Sequence, residues 1–415
     1  MVAVSQSGIP STAARQQAIV RELIKLESVQ HASASFAARA AHLTEEHIRI
    51  CSIPAPPFHE SVRAMYLSER FRELGLTEVG LDEEGNCYAL RSGKSSSPLL
   101  AVSAHLDTVF PPGTDFSVKQ VGPRLLAPGV SDDGCGLAAL VALVEALQSA
   151  NLETEGSLLF VGTVGEEGEG NLRGVRHLFT KGRWAKQIDA FVSLDGAGME
   201  RITNTALGSR RYRICFSGRG GHSWGDFGIA NPVHAVGRAI ARLAAYPAPQ
   251  DPRTTFNVGR IEGGGSVNVI ANSATMDVDL RSTSSDELLR LDAFFRRAVR
   301  EAADDENRLS KKGEPLLSLD LKLIGDRPGG ETSCKSDLVE LALAATRTVG
   351  CIPTLDQSST DSNIPMSLGI PAVTIGAGGT SGNSHTLEEW YDPRGRDAGL
   401  KRALLLMLGI VGVHQ

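Results

Sequence analysis

Residues 99–107, LLAVSAHLD, decide the architecture of the first part of this chain, because an uninterrupted apolar strand ends there in a histidine and an aspartate. The pattern returns in SLLFVGTVGEE at residues 157–167 and in AFVSLD at residues 190–195. Between the first two strands lies GCGLAALVALVEALQSA, residues 134–150, which has the length and composition of a buried helix. Strands without polar alternation are typical of a sheet covered on both faces. We therefore predict an α/β domain with a mixed, mostly parallel sheet and helices on both faces.

The hydrophobic pattern changes near Gly208, where strand-like segments alternate apolar and polar residues. RRYRICFSG at residues 210–218 and ATMDVDLRS at residues 274–282 are examples, and such strands belong to a sheet with one solvated face. Two long helical stretches lie among these strands, which gives the order β-α-β-β-α-β of a ferredoxin-like unit. The buried pattern resumes after this unit, so we predict that an α+β domain is inserted into a discontinuous first domain. The predicted bounds are 208–327 for the insert and 1–207 with 328–415 for the first domain.

Composition narrows the classes of function. The 415 residues include 42 Lys+Arg and 48 Asp+Glu, a formal net charge of −6, and 41% are hydrophobic. We expect no membrane span, and the lack of basic runs argues against nucleic acid as a partner. The six cysteines form no C-x-x-C pair, and the N-terminal sequence lacks the apolar core of a secretory signal, so we expect a cytoplasmic protein with reduced thiols. A small molecule or a peptide is the expected substrate.

Histidine and acidic residues follow the buried strands, at the sheet edge where open α/β folds bind ligands. His105 and Asp107 end the first strand, and at i, i+2 spacing we expect the Asp107 carboxylate to hydrogen-bond the second ring nitrogen of a metal-binding His105. Glu166 and Glu167 follow the next strand, where one carboxylate can bind a metal while the other faces substrate. Taken singly, the His105-Asp107 pair is more often a solvated strand end, and the Glu166-Glu167 pair is as often a solvated acidic turn.

Three further positions complete the pattern. Asp132 lies in GVSDDG before a helix, where capping alone does not need two adjacent aspartates. Asp195 ends a buried strand, and His385 lies on a glycine-rich loop after another. A pair of divalent cations bridged by one carboxylate needs a mixture of two histidines and three or four carboxylates. The combined set therefore predicts a two-metal centre.

The ordered motifs HLDTV, GVSDDG, GEEGEG, SLDG and SGNSH resemble the di-zinc metallopeptidase family that includes peptidase T, glutamate carboxypeptidase and aminoacylases. The resemblance covers nearly the whole chain after the first thirty residues and extends to the inserted domain, which serves as a lid in that family. It implies that one carboxylate bridges two metals, that two residues complete each metal site, and that a glutamate acts as general base. The implied assignments are Asp132 as the bridge, His105 and Asp195 at one metal, Glu167 and His385 at the other, Glu166 as the base and Asp107 as the partner of His105.

The resemblance also assigns residues in the inserted domain. In GRGGHSWGDF, His222 matches a lid histidine that stabilises the tetrahedral intermediate, and in dimeric members it often comes from the partner subunit. Asn268 and Arg281 match substrate-binding positions, and the guanidinium suits a carboxylate. One departure is Gly134-Cys135, where many relatives carry a lysine.

The resulting hypothesis is a peptidase T-like aminopeptidase that uses two divalent ions, zinc first and cobalt or manganese as alternatives, to remove the N-terminal residue of short peptides. A homodimer through the lid is also expected. A carboxypeptidase or an N-acyl-amino-acid amidohydrolase would use the same scaffold. A non-catalytic metal-binding or peptide-binding module is disfavoured by the Glu166-Glu167 pair, because binding alone needs no base.

Overall fold

A computed structural model of the protein describes residues 11–414. The chain divides into two compact units, one formed by the chain up to Ala206 and from Glu331 onward, the other by Leu207–Gly330. Within the described residues, no helix has both the length and the apolar character needed to cross a membrane. The first ten residues, on which the expectation about a secretory signal partly depends, lie outside the described residues.

The helices and strands are numbered here in chain order. The helices are α1 Thr12–Leu23, α2 Glu27–Ala38, α3 Ala40–Cys51, α4 Ser61–Glu73, α5 Gly134–Ser149, α6 Arg173–Thr180, α7 Pro232–Ala244, α8 Ser285–Leu309, α9 Asp337–Thr348, α10 Asn363–Ser367 and α11 Arg396–Val411, with a 3₁₀ turn at Gly168–Gly170. The strands are β1 Thr77–Leu81, β2 Cys87–Arg91, β3 Leu99–His105, β4 Lys119–Val121, β5 Arg124–Leu126, β6 Ser157–Thr163, β7 Ala190–Leu194, β8 Arg201–Ala206, β9 Gly208–Ser217, β10 Gly221–His222, β11 Thr254–Gly263, β12 Val269–Ile270, β13 Ser273–Ser282, β14 Ser318–Arg327, β15 Gly330–Glu331, β16 Thr354–Ser358, β17 Ala372–Ile375, β18 Thr380–Gly382 and β19 Trp390–Asp392.

The first unit is built on a nine-stranded mixed sheet in the order β1-β2-β6-β3-β7-β17-β8-β15, with β16 beside β8. Its centre is parallel, since β3 pairs in parallel with both β6 and β7, and β7 with β17. Every residue of β3, β6, β7 and β17 is buried. Strands of this kind need cover on both faces, and their parallel direction brings their carboxyl ends to one edge.

Helices cover both faces of this sheet. On one face, Leu100 and Val102 of β3 belong to a large apolar core with residues of α1 to α5, α9 and α11. On the other face, Leu99 and Ala101 pack in a smaller core with α6 and the α10 region. The alternate residues of one strand therefore face different helical layers, which confirms the predicted fold class.

The second unit has a four-stranded antiparallel sheet in the order β11-β13-β9-β14. Burial alternates along β13, and its buried residues share a core with α7 and α8. The predicted β-α-β-β-α-β order is present, supplemented by the short antiparallel pair β10 and β12.

Candidate metal centre

The candidate residues of the first unit converge at the carboxyl edge of its parallel strands. His105 is the last residue of β3, Glu166 and Glu167 follow β6, and Asp195 follows β7 directly. Two loops bring the remaining residues: Asp132 lies just before α5, and His385 lies between β18 and β19.

Asp132 stands at the middle of the cluster. Its Oδ1 lies 2.8 Å from His105 Nε2, and its Oδ2 lies 3.0 Å from His385 Nε2. The same His385 nitrogen is 3.1 Å from Glu167 Oε1. The two oxygens of one carboxylate therefore face two different histidines, an arrangement that allows it to bridge two cations.

Three overlapping groups of side chains have ligand atoms within 4.8 Å of one another. Asp132 belongs to two of these groups, and Glu166 reaches the third, so both carboxylates of the Glu166-Glu167 pair enter the same cluster. Both can do so because β6 has already ended at Thr163 and the backbone turns at Gly165 with φ +66°. The groups are His105, Asp132, Asp195; Asp132, Glu167, His385; and His105, Glu166, Glu167.

Electrostatics in this cluster favour a bound cation. Burial and the neighbouring Asp132 charge raise the pKa of Asp195 to about 6. Hydrogen bonds to Asp132 and Glu167 raise the pKa of His385 to about 10, and the side-chain contacts of His105 with Asp107 and Asp132 raise its pKa despite burial. Four carboxylates crowd around two histidines, so protons or metal ions are needed to offset their mutual repulsion. Imidazole nitrogens and carboxylate oxygens are donors that zinc, cobalt and manganese accept.

Asp107 supports this cluster in a way the sequence did not predict. His105 Nδ1 lies 2.9 Å from the Asp107 backbone carbonyl and 3.7 Å from its carboxylate Oδ1. The carboxylate instead accepts hydrogen bonds from the backbone amides of Glu166, at 3.0 Å, and Glu167, at 2.8 Å. Burial opposes its ionisation, yet the His105 contact and these amides keep the pKa of Asp107 below its ordinary range. Asp107 therefore positions the two glutamates.

Asp133 has a similar role on the other side. Its carboxylate accepts the backbone amides of His105 at 3.1 Å, Gly136 at 3.1 Å and Gly196 at 3.2 Å. It thereby caps α5 and ties the ends of β3 and β7 to the loop of Asp132. The structure also explains the Gly134 departure, because an added Cβ would lie 2.3 Å from the Cys51 sulfur.

Three buried residues near the cluster were missed by the sequence analysis. Glu389 accepts hydrogen bonds from the loop that carries Asp132. The guanidinium of Arg63 donates to the carbonyl of Leu106 at 2.7 Å. Asp361 accepts a hydrogen bond of 2.5 Å from Thr163 Oγ1 at the end of β6. Each of the three contacts a residue more than 40 positions away in the sequence, so no local pattern pointed to it.

The remaining candidates belong to the second unit. His222 is exposed in β10, and its Nδ1 accepts the backbone amides of Trp224 and Gly225 at 3.2 and 3.3 Å. Asn268 lies beside it, because its carbonyl accepts the amide of Ser223 at 3.0 Å.

Arg281 lies at the far end of β13, opposite Ser209 of β9. Its Nε donates to Asp279 at 2.6 Å, and its side chain is 37% exposed. The second unit thus brings His222 and Asn268 together and places Arg281 elsewhere on its sheet.

The sequence of the chain matches a known protein family over most of its length. A model of peptidase family M20/M25/M40 matches residues 101–410, about three quarters of the chain and all the candidate residues described above except Arg63. The chain belongs to this family. The resemblance stated from the motifs is confirmed, and this M20 protein is a hydrolase with a cluster able to bind metal.

The chain is similar to curated relatives in sequence and to solved structures in fold. Succinyl-diaminopimelate desuccinylase of Cupriavidus pinatubonensis is 30% identical over 272 residues, 59% of this chain and 69% of the relative. The uncharacterized protein YqjE of Bacillus subtilis is 25% identical over 354 residues, 81% of this chain and 90% of the relative. A tripeptidase structure from Staphylococcus aureus has a TM-score of 0.73 at 21% identity, covering 88% of this chain and 96% of the tripeptidase, so the two share a fold.

Proposed function

We propose that this M20 protein is a two-metal aminopeptidase that removes the N-terminal residue from short peptides. The observation that carries the proposal is the pair of overlapping donor groups that share Asp132, with the Glu166 carboxylate at their edge. A single structural ion would not need two groups with a common bridge, nor a further carboxylate beside them.

The proposed ligands follow from the overlapping groups. His105, Asp132 and Asp195 would hold one cation, and Asp132, Glu167 and His385 the other. Zinc is the first choice for such donors, with cobalt and manganese as alternatives. When bound, the two ions supply Lewis acidity at the scissile carbonyl and lower the pKa of the attacking water.

Glu166 is the proposed general base. Its backbone amide is fixed by the Asp107 carboxylate, and its own carboxylate lies within 4.8 Å of His105 and Glu167 donor atoms. In this position it can take the proton of the attacking water and then deliver it to the leaving amine.

The inserted unit is proposed to supply substrate contacts. Because Nδ1 of His222 accepts two backbone amides, a neutral ring carries its proton on Nε2, which can donate to a developing oxyanion. Arg281 is the proposed partner of a substrate carboxylate, since its Nε is held by Asp279 while part of the guanidinium remains exposed. Asn268 is proposed to bind the substrate near His222.

The direction of cleavage rests on Asp195. Family members with aspartate at this position tend to be aminopeptidases, whereas carboxypeptidases and deacylases tend to carry glutamate. The shorter side chain would leave room beside a bound cation for the free amino group of a peptide. The shared fold with the tripeptidase is consistent with this substrate size.

A second candidate is an N-acyl-amino-acid amidohydrolase, and a specific observation favours it. The relative from Cupriavidus pinatubonensis, 30% identical to this chain over 272 residues, is named as a desuccinylase, an enzyme that removes a succinyl group from an amine. Both reactions hydrolyse an amide, so the same base and cations would serve either substrate.

One experiment separates the candidates. The purified protein is incubated with an unblocked tripeptide, its N-acetylated form and an N-succinyl amino acid, each with and without a metal chelator, and the products are identified by mass spectrometry. We expect loss of the N-terminal residue from the unblocked tripeptide alone, and no product with chelator. Release of the C-terminal residue from the acetylated peptide would favour a carboxypeptidase, and release of succinate would favour the amidohydrolase.

A further inference from the structure

Glu389 is fully buried and accepts four hydrogen bonds from one short loop. Its Oε1 receives the Ser131 amide and hydroxyl, both at 2.7 Å, and the Asp132 amide at 2.9 Å. Its Oε2 receives the Gly129 amide at 2.9 Å. The loop therefore wraps around a single carboxylate that lies about 260 residues away in the sequence.

This contact continues a strand pairing that ends next to it. In β19 and β5, Trp390 lies opposite Leu126, and the amide of Ala127 then donates to the Glu389 carbonyl at 3.2 Å. Pro128 follows and has no amide hydrogen, so the backbone ladder cannot go on. From Gly129 onward, the side chain of Glu389 takes the place of the missing strand partner.

The same segment that carries Glu389 also carries His385. The His385 ring meets Asp132 Oδ2 at 3.0 Å, and four residues later the Glu389 carboxylate holds the Asp132 amide. The segment that carries His385 and Glu389 therefore contacts both the backbone amide and the side-chain carboxylate of Asp132. Any displacement of Glu389 changes the separation of the two residues that would share a cation.

We propose that Glu389 is a positioning residue of the proposed metal centre and that it sets the geometry between Asp132 and His385. The inference rests on the proposed two-metal function. It assigns to Glu389 a selective effect, because the backbone amides of His105 and of Gly196, the residue after Asp195, are held from the other side by Asp133. The cation of Asp132, Glu167 and His385 should therefore depend on Glu389 more than the cation of His105, Asp132 and Asp195.

The test is metal retention by the full-length, metal-loaded protein. Wild type, Glu389→Gln and the matched control Glu388→Gln are dialysed against zinc buffered over a range of free concentrations, and bound zinc per chain is counted by mass spectrometry. Glutamine keeps one acceptor oxygen but turns an amide group toward the Gly129 N–H. Residues that orient metal ligands change affinity by roughly 10- to 100-fold, so we expect one of two zinc ions to bind that much more weakly in Glu389→Gln.

A merely structural role would give another result. Each protein is also melted with zinc and with excess chelator, because a ligand that binds only the folded state raises the melting temperature. Positioning predicts a smaller zinc-induced increase in Glu389→Gln, whereas a structural role predicts an equal drop under both conditions. Should Glu389→Gln fail to fold, Ser131→Ala removes one hydroxyl contact alone and is expected to weaken the same ion by a few-fold.

The outcomes are distinguishable from those for the proposed function. A wild-type protein that binds fewer than two zinc ions would contradict the metal centre itself. Two ions bound equally tightly by wild type, Glu389→Gln and Ser131→Ala would overturn the role of Glu389. Zinc binding that is weakened equally in Glu388→Gln would show an effect of the segment's charge and would also overturn the positioning role of Glu389.

Discussion

The two units hold their candidate residues in different ways. In the first unit, buried carboxylates fix the backbone at or beside five of these residues: Asp107 holds the two glutamates, Asp133 holds His105 and the residue after Asp195, and Glu389 holds Asp132. In the second unit, His222 is exposed on a two-residue strand and Arg281 is partly exposed. The buried cluster is preorganised, as chemistry requires, whereas exposed side chains suit the recognition of a substrate that comes and goes.

This contrast predicts that changes in the first unit affect the rate of the reaction most. Glu166→Gln should keep both metal ions and substrate affinity but lower kcat by about three to four orders of magnitude, because proton transfer is removed while the cluster persists. The measurement is steady-state kinetics together with metal content. Glu169→Gln, an exposed neighbour, is the control, and near-normal turnover in Glu166→Gln would remove it from the role of base.

The exposed histidine should have the next largest effect. His222→Ala is expected to lower kcat by about 10²-fold with little change in KM. The reason is that the hydrogen bond it removes is made to the oxyanion, which forms only in the transition state. His234→Ala, an exposed histidine of the same unit, should retain wild-type kinetics. A His222→Ala protein with unchanged kcat would contradict the assignment.

Arg281 should affect binding more than rate. Arg281→Ala is expected to raise KM by roughly 10-fold for peptides with a free C-terminal carboxylate, because a charge-assisted hydrogen bond is removed. Arg213→Ala, whose guanidinium pairs with Asp277 on the same sheet, is the matched control. C-terminally amidated peptides should be poor substrates of the wild type, and equal cleavage of both forms would argue against a carboxylate clamp.

The smallest effect concerns stability at Asp361. Burial raises the pKa of this carboxyl to about 7, well above that of an unfolded aspartate. The folded state therefore favours the protonated form of Asp361. The stability that this protonated carboxyl contributes is fully present below about pH 4 and is lost as the pH rises toward 7.

Asp361→Asn removes this titration. Urea denaturation with chelator present measures the free energy of unfolding of both proteins. The value for the variant minus the value for the wild type should increase by roughly 1–3 kcal/mol as the pH is raised from 5 to 8. Asp356→Asn serves as the control substitution. A difference between variant and wild type that does not change with pH would contradict the buried-acid account of Asp361.

The sequence predicted the fold class well because buried strands and one-sided strands leave different periodicities. LLAVSAH and SLLFVGT show no polar alternation, while ATMDVDLRS alternates, and burial in the structure follows both patterns. The strand-end position of His105 and Asp195 was visible for the same reason. The roles given to these residues stay predictions.

The hydrogen bonds that fix the cluster could not be predicted in this way. The i, i+2 rule for Asp107 assumed a continuing strand, but β3 ends at His105, so the carboxylate points to another loop. Glu389 contacts residues about 260 positions away, and such a contact leaves no local pattern. The glycine at position 134 is required by the Cys51 sulfur beside it, a residue more than 80 positions away in the sequence.

The central claim is that Asp132 joins two cations into one centre. Its most direct test is the number of zinc ions retained per chain after dialysis at a buffered free zinc concentration that saturates the wild type, measured for wild type, Asp132→Asn and the exposed control Asp115→Asn. We expect two ions in wild type and control and fewer than one in Asp132→Asn, because a shared bridge serves both sites. A single ion in the wild type, or two ions retained by Asp132→Asn, would contradict the claim.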